Sequence, residues 1–209
     1  SFPTRRSSDL MNRVVMNNVS IGYDAKHPIK KGINLSFENK IYAITGESGG
    51  GKTTLLETIA RIKHPLSGII TTTGKICMVH QHYANFPWLS TLDNVLISNK
   101  IAGLPNDFGI DFAKYLLNKV GLAGCEDKYP SELSGGMNQR LAIIRTLIMQ
   151  PDVLLMDEPL SALDEQTRSK MQKFLMDWHC ATNSTIIFVT HSQDEANKMA
   201  DQIIRMEDL

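Results

Sequence analysis

Apolar residues along the chain follow two rhythms. Strand-sized runs such as "IYAIT" (41–45), "VLLM" (153–156) and "IIFV" (186–189) are apolar at nearly every position, as strands buried on both faces are. Between them, apolar residues recur at helical spacing: Leu55, Ile59 and Ile62 in "KTTLLETIARI", and Met137, Leu141, Ile144 and Ile148 in "MNQRLAIIRTLIM". Read in order, "NRVVMNNVSIGY" predicts a strand, and "GINLSFENKIYAIT" a strand pair turning at Glu38-Asn39-Lys40. The first helix follows and ends at "HPLSG", and "GIITTTGKICMVHQ" predicts two short strands around Gly74. From about 83 to 136 the pattern becomes helical ("TLDNVLISNKIA", "DFAKYLLNKVGL") and is broken by Gly and Pro, as in a helical insertion. After the helix that starts near Met137, strand "PDVLLMDEP", helix "EQTRSKMQKFLMDWH", strand "STIIFVTH", helix "SQDEANKMA" and strand "DQIIRM" complete the chain. Buried strands alternating with helices predict an α/β fold with a mostly parallel sheet, preceded by an N-terminal antiparallel β part.

The length of 209 residues suits one domain, here 11–209, with an insertion. "SFPTRRSSDL" has no apolar period and resembles the translation of a sequencing adapter; it is read as a non-native leader and set aside, a native disordered basic arm being the alternative. Lys plus Arg balances Asp plus Glu at 22 each, so no net basic field points to nucleic acid, and none is expected as a partner. The three cysteines are scattered with no zinc spacing, and His80 and His82 beside Gln81 do not make a metal site. No apolar run approaches the ~18 residues of a membrane helix, so a membrane role requires another chain to span it.

Chemistry concentrates at three strand ends. "GESGGGKT" fits G-x-x-x-x-G-K-[ST] between a strand and a helix. Gly46, Glu47, Ser48, Gly49, Gly50 and Gly51 can turn backbone N–H groups toward phosphate, aided by the positive end of the helix. Lys52 reaches the terminal phosphates, Thr53 offers a hydroxyl to Mg²⁺, and Thr54 completes the loop. Asp157 ends a buried strand, where it can hold the Mg²⁺ shell; Glu158, next in line, can orient and activate water. His191 ends a second buried strand, at the edge where open α/β sheets bind ligands, and is read as a γ-phosphate contact.

In these motifs the chain resembles the ATP-binding cassette subunit of ABC transporters, from Met11 to Leu209. "LSGGMNQR" (133–140) resembles the family's signature motif, "SALD" (161–164) its D-loop, "VHQ" ending in Gln81 its Q-loop, and "VTH" its switch histidine. Tyr23 stands where the family has an adenine-stacking aromatic. The resemblance implies a phosphate-loop NTPase (RecA-like) fold and an ATPase using ATP and Mg²⁺. It implies a head-to-tail pair with a second cassette, in which Ser134, Gly135 and Gly136 of one copy cap the nucleotide of the other beside Asp164, and it places Gln81 at the metal and the attacking water. It further implies a transmembrane permease partner, a substrate-binding protein upstream of it, and a place on the cytoplasmic face of the membrane. "NFPWLSTLDNV" looks like the corresponding segment of nitrate, sulfonate and taurine importers. Trp88 there is either a docking residue or a buried aromatic that packs the insertion. A soluble non-transport ATPase of the same class and an exporter or lipoprotein-release cassette are the rival readings.

Overall fold

A computed structural model describes residues 13–24, 26–82, 84–101, 103 and 106–209, with the backbone alone at 106–108. Residues 1–10, expected from the sequence to be a leader, lie outside the described residues. The chain forms two compact units. One takes the described residues up to Met78 together with Asp152–Glu158 and Asp177–Leu209; the other takes Val79–Pro151 and Pro159–Met176. The helical stretch expected at about 83–136 is one part of the second unit.

The first unit contains two sheets. Strands β1 (Val14–Asp24), β2 (His27–Phe37) and β4 (Ser67–Thr72) form a three-stranded antiparallel sheet in the order β2-β1-β4. Strands β3 (Ile41–Thr45), β5 (Ile76–Val79), β6 (Val153–Asp157), β7 (Thr185–Val189) and β8 (Gln202–Arg205) form a five-stranded sheet ordered β5-β6-β7-β3-β8. In it β3 runs parallel to β7 and β8, and β6 parallel to β7. The strand pair expected across Glu38-Asn39-Lys40 is corrected here. The turn exists, with the Lys40 N–H donating to Glu38 O at 2.8 Å, but its two strands enter different sheets. The patterns explain this: β3 is buried at all five positions and suits the middle of a covered parallel sheet, whereas β2 is mostly half-buried or exposed.

Helix α1 (Lys52–Ile59) packs Leu55, Leu56 and Ile59 into a core shared with Val14, Ile21, Phe37, Tyr42, Leu155, Ile187 and Met206. Phe37 and Tyr42 meet edge to face there, with centroids 4.9 Å apart. Ile62, expected on the same helical face, is exposed instead, because Arg61 adopts a left-handed conformation (φ 61) and ends the helix before it.

The second unit is built on α2 (Thr91–Ile101), α3 (Asn106–Lys119) and α4 (Gly135–Leu147), with the first two thirds of α5 (Glu165–Thr182). Leu141, Ile144 and Ile148 of the predicted stripe are fully buried. Asn94 of α2, also fully buried, accepts from the Phe86 N–H at 2.8 Å and donates to the carbonyls of Phe86, Leu89 and Ser90 at 2.9–3.0 Å. This one amide fixes the loop that presents Trp88. Asn94→Ala strands a buried N–H and carbonyls, and is expected to lower unfolding stability by about 2–3 kcal/mol, read from the urea midpoint.

Candidate functional site

The phosphate-loop candidate connects β3 to α1. Gly51 caps α1 in the left-handed region (φ 92), and a Cβ there would lie 2.7 Å from Ile29 Cγ2, so both backbone and space require glycine. Lys52 is 5% exposed, and its ammonium donates to Gly46 O at 2.8 Å and Glu47 O at 2.7 Å, so it lies along the inside of the turn. Thr54 is buried, while Glu47, Ser48, Gly49 and Thr53 are exposed. The Glu47 N–H donates to Glu207 Oε1 at 3.3 Å. Glu207 is held below its ordinary carboxylate range by backbone N–H donors, its own first and then that of Glu47, and by the charges of Lys30 and Lys52.

Two carboxylates leave the end of β6 in different directions. Asp157 is buried and accepts from Thr53 Oγ1 at 2.8 Å. These two hard oxygen donors, one a hydroxyl and one a carboxylate, are the kind of ligand Mg²⁺ takes, so the residues fit that ion. Glu158 turns away because its backbone is left-handed (φ 47), a conformation costly for a non-glycine residue and concentrated at functional sites. Its N–H donates to Val189 O at 3.1 Å, and its Oε1 lies 2.8 Å from His191 Nε2. His191 follows β7 by two residues. The turn carrying it is held by Thr190, whose N–H donates to Ile44 O at 3.2 Å and whose hydroxyl donates to Glu195 Oε2. Helix α6 (Gln193–Met199) completes the clasp: its cap Ser192 donates its N–H to Thr190 Oγ1 at 3.1 Å and accepts from the Glu195 N–H at 3.2 Å. Thr190 and Glu195 were not candidates from sequence, because a buried threonine and a first-turn glutamate carry no motif signal. Tyr23, next to last in β1, has a 78% exposed side chain with the Lys63 ammonium 4.2 Å from its ring centroid.

The remaining candidates belong to the helical unit. Gln81 follows β5 and is exposed. Ser134 caps α4, its hydroxyl accepting from the Met137 N–H at 3.3 Å, so that Gly135 and Gly136 form the first turn of the helix. A Cβ on Gly136 would stand 3.1 Å from Leu163 Cδ2. Asp164 accepts from the Thr167 N–H at 3.0 Å, and this bond holds its carboxyl below the ordinary range. Gln139, 2% exposed, accepts from the Ala162 N–H at 3.2 Å and so ties "SALD" to α4. Sequence reading missed it, since a glutamine inside a helix carries no distinguishing signal.

The sequence profile of the family described as ABC transporter matches residues 30–161. An uncharacterized ABC transporter ATP-binding protein of Methanocaldococcus jannaschii is 42% identical over 181 residues, covering 82% of this chain and 68% of its own length. The nitrate import ATP-binding protein NrtD of Synechocystis sp. is 39% identical over 197 residues, covering 90% of this chain and 74% of its own length. Spermidine/putrescine import ATP-binding protein PotA of Spiroplasma citri is 41% identical, and the chain spans 59% of its length. Among solved structures, a dimeric post-hydrolysis ATP-binding cassette bound to ADP and Pi superposes with a TM-score of 0.81 at 26% identity, covering 92% of this chain and 93% of that one. With the loop, the paired carboxylates and the capped glycine turn in place, the chain belongs to the ABC transporter family, as its ATP-binding ATPase domain.

Proposed function

We propose that this domain supplies the energy for an importer of small anionic or organic solutes, working as a head-to-tail pair on a transmembrane permease at the cytoplasmic face of the membrane. Relatives named for nitrate, spermidine/putrescine, iron and sulfate import support the direction of transport, and an upstream substrate-binding protein follows from it. Among the described residues no helix is long and apolar enough to cross a membrane, which leaves the crossing to the permease. Trp88 is 70% exposed, packs on Phe86 at 5.5 Å and lies on the loop that Asn94 fixes; it is assigned to permease docking rather than to the core of the insertion.

The observation that carries the catalytic reading is the split at the end of β6. Asp157 turns to Thr53 and Glu158 to His191, each at 2.8 Å. In this reading the loop N–H groups and Lys52 bind the phosphates of ATP, and Tyr23 stacks the base. Thr53 and Asp157 would hold Mg²⁺, with Gln81 the further ligand that the family resemblance implies, and the ion when bound would neutralise charge on the transferring phosphate. Glu158 orients the attacking water and accepts its proton, and His191 holds Glu158 and the γ-phosphate in register. Ser134, Gly135 and Gly136 present N–H groups at the start of α4 to the nucleotide of the partner, alongside Asp164.

The pairing is tested with Glu158→Gln on size exclusion with and without Mg-ATP. A shift from monomer to dimer only with Mg-ATP is expected, and adding Ser134→Arg should abolish the shift while ATP still binds. A monomer that binds ATP under all conditions would remove the trans role of the glycine turn.

A further inference from the structure

The way α1 ends has a second effect. The Arg61 N–H donates to Thr58 O at 3.2 Å and the Ile62 N–H to Glu57 O at 2.9 Å, with Arg61 left-handed (φ 61). This paired closure reverses the chain at a helix end. It brings Lys63 back over the last turn, where its N–H donates to Glu57 O at 3.1 Å and its ammonium lies 2.6 Å from Glu57 Oε2. Lys63 is therefore fixed to Glu57 through both backbone and side chain, and both side chains are largely removed from water, at 30% and 19% exposed. The same ammonium stands over the Tyr23 ring, 4.2 Å from its centroid. The Glu57 carboxylate, through its hydrogen bond, pushes the Lys63 ammonium above its ordinary value. The Tyr23 side chain nevertheless remains open to solvent.

An exposed tyrosine at a strand end has several rotamers to choose from, and a base that stacks on it must first select one. A cation held over one face removes that choice, because the ring quadrupole attracts it there. We infer that Lys63 is a positioning residue for the nucleobase: anchored by Glu57, it caps one face of Tyr23 and leaves the opposite face as the stacking platform. The inference rests on the reading of Tyr23 as the base-stacking residue. Because Glu57 lies on the helix that starts at Lys52, the pair also joins the base platform to the helix that follows the phosphate loop.

The test is equilibrium binding of ADP, with tripolyphosphate as a probe that lacks the base. Wild type, Tyr23→Ala, Lys63→Met, Lys63→Arg and the Tyr23→Ala/Lys63→Met double variant are compared. Tyr23→Ala is expected to weaken ADP about 5–30-fold and to leave tripolyphosphate unchanged. Lys63→Met is expected to weaken ADP about 2–5-fold, again without effect on tripolyphosphate, and Lys63→Arg to restore wild-type binding. The double variant should bind ADP no more weakly than Tyr23→Ala, because Lys63 acts only through the ring. The inference is overturned if Lys63→Met binds ADP as wild type does, if it weakens tripolyphosphate to the same extent, or if the two losses multiply. If Tyr23→Ala leaves ADP binding unchanged, the stacking reading itself fails and the inference goes with it.

Discussion

Glu158→Gln is expected to lower ATP turnover by about 10²–10⁴ while nucleotide binding stays within a few-fold of wild type. The substitution is nearly isosteric and can still contact His191, 2.8 Å from the carboxylate oxygen, so the turn is preserved. What is lost is a group able to take a proton from water. Single-turnover hydrolysis measures the chemical step, and titration of a fluorescent ATP analogue under the same conditions measures binding. His191→Ala is expected to slow the same step, and the double variant to be little slower than Glu158→Gln alone, since residues that act as a unit do not add. A Glu158→Gln enzyme with wild-type single-turnover rates would remove this residue from the chemistry and leave its left-handed backbone (φ 47) without a functional reason.

The second large effect is on binding. Lys52→Ala is expected to weaken ATP about 100-fold or more, since charge-assisted hydrogen bonds contribute about 1.5–3 kcal/mol each and the ammonium can make two. Two losses contribute to this. The phosphates lose a cation, and the loop loses the bonds to Gly46 O and Glu47 O that now run across its interior. The two separate by ligand charge: loss of the cation weakens ATP more than ADP, whereas a loosened loop weakens both alike. Equal loss for both nucleotides would show that Lys52 mainly shapes the loop.

Much of this site is legible in the sequence, because its parts are local. A glycine-rich turn between a buried strand and a helix announces itself within a few residues, and so do two carboxylates at the end of an apolar run. The clasp around His191 is not legible in that way. Thr190 and Glu195 are ordinary residue types whose importance comes from burial, and burial at the end of β7 depends on β3 lying beside it. The pairing of Lys63 with Glu57 is hidden for another reason. Residues six apart do not share a helix face, and they meet only because Arg61 leaves the helical region, a backbone choice that arginine does not advertise. In the fold, helix and strand types follow from periodicity. Membership of one sheet or the other does not, because β2 and β3 are neighbours in sequence whose partners lie elsewhere in the chain.

Synthesis on the ribosome meets that last feature directly. Ile41 of β3 pairs with Ile186 of β7, and on its other side Tyr42 pairs with Gln202 of β8, so the strand is made long before either neighbour exists. At 5–20 residues per second the nascent "IYAIT" segment waits roughly 7–30 s for a partner. It is short, apolar and uncharged, the composition that pairs with copies of itself when left exposed. The helices of the other unit draw on local contacts and can form during the wait. The danger period in the life of this protein is therefore the interval between the making of β3 and of β7, and slowing translation between them lengthens the exposure of a strand that no native neighbour yet covers.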